Sequence, residues 1–178
     1  MRIVITKPDF FDGEARKIID LLSNGKADLM HIRKPQSSEL QVECLLKQLP
    51  QELYSRLVIH DHFDLARRFA LHGVHLNSRN PLPPHDWHGS VSISCHSIEE
   101  LAQCRQKDFA YMSLSPIFDS ISKPGYKSAF TTEQLAQARQ QGIIDERVMA
   151  LGGVTFSNFN DVLTMGFGGG MILGDAWK

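Results

Sequence analysis

Residues 57–76 read LVIHDHFDLARRFALHGVHL, a strand, a short helix and a second strand in one uninterrupted run. Leu57, Val58 and Ile59 form an apolar stretch that ends in His60 and Asp61, the pattern of a buried strand releasing polar groups at its C-terminal end. Residues 63–71 then read as a helix, with Gly73 as its stop. Residues 74–76 begin the next strand. Two strands separated by a helix are parallel and joined by a crossover.

The same alternation extends outward in both directions. Strands are expected at 2–6, 29–33, 91–94, 109–115, 148–151 and 170–173. A helix over 13–22 carries apolar residues at Ala15, Ile18, Ile19 and Leu22, a helical spacing. Another starts at Ser37 or Ser38 and ends near Pro50. Ser97 opens a helix as S-I-E-E, with Glu100 placed for a capping box. Thr131 or Thr132 opens a helix through Arg139, and 156–165 forms one that ends at Gly166. Eight strands with intervening helices favour a closed (βα)8 TIM barrel over an open doubly wound sheet. The run Gly166–Gly170 does not follow a strand as G-x-G-x-x-G, which argues against a dinucleotide fold. No linker or repeat interrupts residues 1–178, so a single domain is expected. The sequence stops five residues after the eighth strand, leaving no room for an eighth helix. The outer faces of strands one and eight are therefore expected to be exposed, and a homodimer to cover them.

The net charge is −1 over 178 residues, which gives no electrostatic footprint for nucleic acid or an anionic membrane. Cys44, Cys95 and Cys104 form no C-x-x-C pair and read as reduced thiols. No charged n-region followed by a long apolar run and no 18-residue apolar stretch occurs. A cytoplasmic protein is expected, acting on small molecules.

In such barrels the working groups sit at the C-terminal ends of strands. Strand two ends in His31, Arg33 and Lys34, and the two cations suit an anion. Asp61 can hold Mg²⁺ or simply favour a helix N-terminus. His75, Asn77 and Asn80 follow strand four, and Ser94 and His96 follow strand five. Histidine suits proton transfer near neutrality. Ser120, Ser122 and Lys123 offer hydroxyls and an ammonium after strand six, groups that fit phosphate oxygens and equally a solvated turn. Gly152 and Gly153 allow close backbone approach after strand seven, and Gly174 follows strand eight. The eight histidines do not show a spacing that assembles four zinc ligands, so no histidine zinc site is expected. Cys95 has no partner that marks it as a nucleophile.

With these positions assembled, the chain resembles the thiamine phosphate synthase and thiazole tautomerase family. The matching segments are MHIRKP (30–35), VIHDHFDLA (58–66), GVHLNSRNP (73–81), SISCHSIEEL (92–101), YMSLSPIFDSISKPGY (111–126) and MALGGV (149–154). The resemblance implies a (βα)8 barrel and a transferase that joins an aminomethylpyrimidine pyrophosphate to a thiazole phosphate, releasing pyrophosphate with Mg²⁺ as cofactor. It implies that Arg33 binds pyrophosphate, that Asp61 and Asn80 hold the metal, and that Ser94, His96 and Lys123 act catalytically. His31, Lys34, His60, Ser120, Ser122, Gly153 and Gly174 would contact substrate. The chain departs from the family pattern at several of these places. The family lysine of strand two falls at Pro35, with Lys34 one place early, and alternation along a strand can aim Lys34 elsewhere. His31 stands for a glutamine, His60 for an asparagine, and Asn80 for the second metal carboxylate. His31 and His96 are similar to the tautomerase branch, which aromatises a thiazole carboxylate phosphate. That branch and a non-catalytic phosphate-binding barrel are the alternatives.

Overall fold

The computed structural model describes residues 1–119 and 128–178. Strands β1 (Arg2–Ile5), β2 (Leu29–Ile32), β3 (Leu57–Ile59) and β4 (Gly73–Leu76) alternate with helices α1 (Glu14–Ser23), α2 (Glu39–Leu46) and α3 (Asp64–Arg68). Strands β5 (Ser90–Cys95), β6 (Tyr111–Leu114), β7 (Val148–Leu151) and β8 (Gly169–Ile172) alternate with α4 (Ile98–Cys104), α5 (Thr132–Gln140) and α6 (Phe159–Thr164). The strands follow sequence order in a closed barrel, and neighbouring strands pair in parallel, with His31 opposite Val58 and Ser94 opposite Ser113. This is the expected (βα)8 architecture. Among the described residues, no helix is long and apolar enough to cross a membrane.

Contacts divide the chain into two units, Ile3–Val91 and Met1–Arg2 with Ser92–Lys178. In the first, β2, β3 and β4 are buried along their whole length, as expected of parallel strands covered on both faces. Helix α1 turns its Ile18, Leu21 and Leu22 inward. Ser38, not Ser37, caps α2, and Gln41 completes the capping box. Helix α3 is shorter than its pattern predicts. It is closed by Ala70 at φ 47, with the Leu71 N–H donating to the Ala66 carbonyl at 2.9 Å. Gly73 is therefore not the helix stop. It opens β4, where an added Cβ would lie 2.4 Å from the Ser90 carbonyl oxygen.

In the second unit, Ser97 caps α4 by accepting from the Glu100 N–H. Its capping box is incomplete, because the Glu100 carboxylate accepts from the N–H of His96, one residue before the cap, at 2.7 Å. Thr131 caps α5 with a full box to Gln134. Helix α6 starts later than residue 156. Thr155 and Asn158 first exchange side-chain and backbone hydrogen bonds (2.8 and 3.1 Å) and hold a turn there. After β8 a 3-10 turn, Gly174–Trp177, buries Ala176 and Trp177. The expected exposure of strands one and eight is not met: Ile3, Val4 and Ile172 are 0% exposed and Met171 is 1% exposed. Self-association argued from that patch has no exposed surface to rest on.

Candidate functional site

The loop after β4 organises the first unit's strand ends. Asn77 and Asn80 exchange backbone hydrogen bonds at 3.1 and 3.0 Å, and the Arg79 N–H donates to the Asn77 side-chain oxygen. Both asparagine side-chain amides donate to the His60 carbonyl, at 3.1 and 3.0 Å. This clamp brings Asn80 and Arg79 onto Asp61. The Asp61 Oδ1 accepts from Asn80 Nδ2 at 3.0 Å and from Arg79 Nη2 at 3.1 Å. Asn80 thus meets Asp61 through its amide nitrogen, as a donor.

Arg33 follows β2 and is half-buried. Its backbone is fixed by Thr6, whose hydroxyl accepts from the Arg33 N–H at 2.9 Å and donates to the Arg33 carbonyl at 3.2 Å. Burial lowers the Arg33 pKa, the Arg79 guanidinium lowers it further, and Asp61 opposes both. Two guanidiniums and one carboxylate therefore share an electrostatic environment, with more positive than negative charge. Arginine binds phosphate oxygens bidentately, so this group suits a polyphosphate. Arg79 escapes a sequence reading because only the folded Asn77–Asn80 turn brings it to Asp61.

Lys34 does not join them. Its ammonium is 1% exposed and donates to both Glu14 carboxylate oxygens, at 2.7 and 2.8 Å. It also donates to the Lys7 and Asp9 carbonyls at 2.9 Å each and lies 4.4 Å from the centre of the Phe10 ring. Burial pushes Glu14 up and Lys34 down, and each is offset by the other's charge. The expectation that Lys34 binds substrate is corrected: alternation along the strand sends it to the segment between β1 and α1.

His31 and His60 are also not open to a substrate. They are 0% and 4% exposed, and His31 Nδ1 shares a 2.9 Å hydrogen bond with His60 Nε2. His75, 1% exposed, stacks on His60 with ring centres 4.4 Å apart and stands 5.0 Å from His31. Burial pushes His31 and His60 well below the usual histidine range, the neighbouring His75 adding to it, and burial holds His75 at about 3.

In the second unit Ser94 lies on β5 opposite Ser113, whose hydroxyl is buried and without a hydrogen-bond partner among the described residues. His96 is exposed, and its Nδ1 contacts the Ser115 hydroxyl at 3.2 Å. Burial raises the Cys95 thiol pKa, and Cys104 beside it adds to the rise, which suits an inert core thiol. Gly152 and Gly153 take φ 94 and 67, and a Cβ on Gly153 would lie 2.4 Å from the Asp119 carbonyl oxygen. The close approach these glycines permit is thus filled by the segment following β6. Gly174 opens the last turn, in which Asp175 accepts from the Phe156 N–H at 3.0 Å and from Lys178 at 2.9 Å. Asp175, which the sequence does not single out, ties the end of β8 to the loop after β7. Ser120, Ser122 and Lys123 lie outside the described residues.

A family model described as thiamine monophosphate synthase matches residues 3–173. A solved thiamine phosphate pyrophosphorylase from Bacteroides thetaiotaomicron is 42% identical, with a TM-score of 0.87 over 99% of this chain and 85% of that one. A curated thiamine-phosphate synthase from Halalkalibacterium halodurans is 26% identical over 172 residues, covering 91% of this chain and 80% of the relative. A solved thiamine phosphate pyrophosphorylase from Pyrococcus furiosus, 20% identical with a TM-score of 0.72 over 98% of this chain and 89% of that one, shares the fold.

Proposed function

The chain belongs to the thiamine monophosphate synthase family, and from that premise we propose that it is a thiamine-phosphate diphosphorylase, joining an aminomethylpyrimidine pyrophosphate to a thiazole phosphate. The C–O bond between the pyrimidine methylene and pyrophosphate breaks, and its electron pair leaves on the pyrophosphate oxygen. The thiazole nitrogen supplies the pair for the new C–N bond. The observation that carries this reading is the match along nearly the whole chain to a family of that name, joined to a polyphosphate-compatible group at Arg33, Asp61 and Arg79.

Arg33 and Arg79 hold the pyrophosphate and stabilise the negative charge it gathers on leaving. Among the described residues, the Asp61 Oδ2 has a single long hydrogen bond, 3.4 Å from Arg79 Nη2. It fits a Mg²⁺ that takes one protein carboxylate and completes its shell with phosphate oxygens and water. Bound there, Mg²⁺ would neutralise the leaving group's charge. Asn80 keeps Asp61 in place through its N–H. We assign Ser94 to charge stabilisation beside the reacting pyrimidine. Ser120, Ser122, Lys123, Gly153 and Gly174 are assigned to the phosphates, and His96 to a supporting proton-transfer or hydrogen-bonding role. A cytoplasmic setting agrees with three free cysteines.

Formation of thiamine phosphate from the two substrates, followed with and without Mg²⁺, tests the reading. Asp61→Asn should lower turnover at saturating substrates by about a hundredfold, the size expected when one element of transition-state charge stabilisation is removed. Unchanged turnover in a folded Asp61→Asn protein would remove Asp61 from the chemistry, and absence of product in the wild type would overturn the assignment.

A further inference from the structure

His31, His60 and His75 stand far apart in sequence, and the barrel register brings them together. His60 and His75 each lie one step beyond the paired residues Ile59 and Val74 of β3 and β4, which accounts for their stacking. His31 reaches the same place from β2. One ligand nitrogen from each ring lies within 4.8 Å of the other two. We propose that these three histidines form a transition-metal site, distinct from the Mg²⁺ position at Asp61 and independent of the transferase reading.

Three arguments support this assignment. The His31–His60 hydrogen bond joins two ring nitrogens, so one of them accepts and carries no proton, and unprotonated imidazole nitrogen is the ligand form of histidine. All the converging side-chain donors are nitrogen, which selects Zn²⁺, Co²⁺, Ni²⁺ or Cu²⁺ over Mg²⁺, an ion that requires oxygen. The spacing is also within reach of side-chain adjustment. Metal–nitrogen bonds of about 2.0–2.1 Å in a tetrahedral site put ligand nitrogens about 3.3 Å apart. The His31–His60 separation of 2.9 Å needs to open by a few tenths of an ångström, and a pair at the 4.8 Å outer limit of the cluster needs to close by about 1.5 Å, a shift that small ring rotations supply. Three imidazoles leave a fourth position for water or a ligand atom, the arrangement of an open zinc site. The positioning is restrained: His31 and His75 are buried strand residues, and His60 directly follows β3 with its carbonyl clamped by Asn77 and Asn80.

The experiment uses the full chain, stripped with a chelator and titrated with Co²⁺. One equivalent should bind and give the intense visible absorption of a four-coordinate, nitrogen-rich site. Zn²⁺ should displace it and Mg²⁺ should not. His31→Gln and His60→Asn restore the residue types of the resembled family. Each should weaken Co²⁺ binding at least tenfold and bleach the band, whereas Asp61→Asn should leave both unchanged. No visible band in the wild type, or an equal band and affinity in folded His31→Gln, overturns the proposal. Should both variants fail to fold, ring ¹⁵N shifts of the wild type decide: coordination moves the ligating nitrogens of three histidines on addition of Zn²⁺, and unmoved signals reject the site.

Discussion

Two adjacent charged residues just beyond β2 have opposite fates. Arg33 is half-buried within the electrostatic reach of Asp61 and Arg79, while Lys34 is buried against Glu14. Removing one member of a buried ion pair leaves the other uncompensated, at a cost of about 3 kcal/mol or more. Lys34→Met should therefore lower unfolding free energy by about that amount in urea titration, and Glu14→Gln in the same chain should recover much of it. Pyrophosphate affinity of folded Lys34→Met should equal the wild type's in calorimetry. A large loss of affinity would return Lys34 to the substrate site. Sequence alone shows the cation one place out of the family register, and alternation supplies the reason it turns away. It does not show the acceptors, because Glu14 and the Lys7 and Asp9 carbonyls come from a segment remote in sequence.

At the scale of elements, the close approach of β4 to the start of β5 depends on Gly73. Gly73→Ala should destabilise the protein by about 2 kcal/mol or more, since the new methyl meets backbone and not a movable side chain; thermal unfolding checks it, and an unchanged midpoint would show that the strands can separate freely. The eight strands were readable because buried parallel strands are short apolar runs, and the runs at 57–59 and 148–151 need no tertiary context. The end of α3 was not. A glycine after a helical pattern signals a C-cap, yet here Ala70 adopts the left-handed conformation and Gly73 serves strand packing. The candidate site was legible only in part for the same reason. Arg33 and Asp61 sit at recognisable strand ends. Arg79 and the histidine cluster depend on loop closure and strand register, which no local pattern encodes.

At the scale of the whole molecule, the residues after β8 form a 3-10 turn, Gly174–Trp177. Trp177 is 9% exposed, so this turn contributes a large apolar side chain to the interior. Trp177→Ala should cost about 3 kcal/mol through lost burial and the cavity left behind, lowering the midpoint of chemical unfolding. A midpoint within error of the wild type would mean that the turn packs too loosely to matter.

The Lys34 burial has a consequence for chemical labelling. An amine-reactive acylating reagent needs an accessible, unprotonated amine, and the Lys34 ammonium is enclosed by four acceptors and a phenyl ring. Surface lysines such as Lys47, 62% exposed, should acylate on the reagent's own timescale. Lys34 should react only when the segment carrying Lys7, Asp9 and Glu14 lifts away. Its modification rate, read peptide by peptide in mass spectrometry, would then be a clock for that local opening.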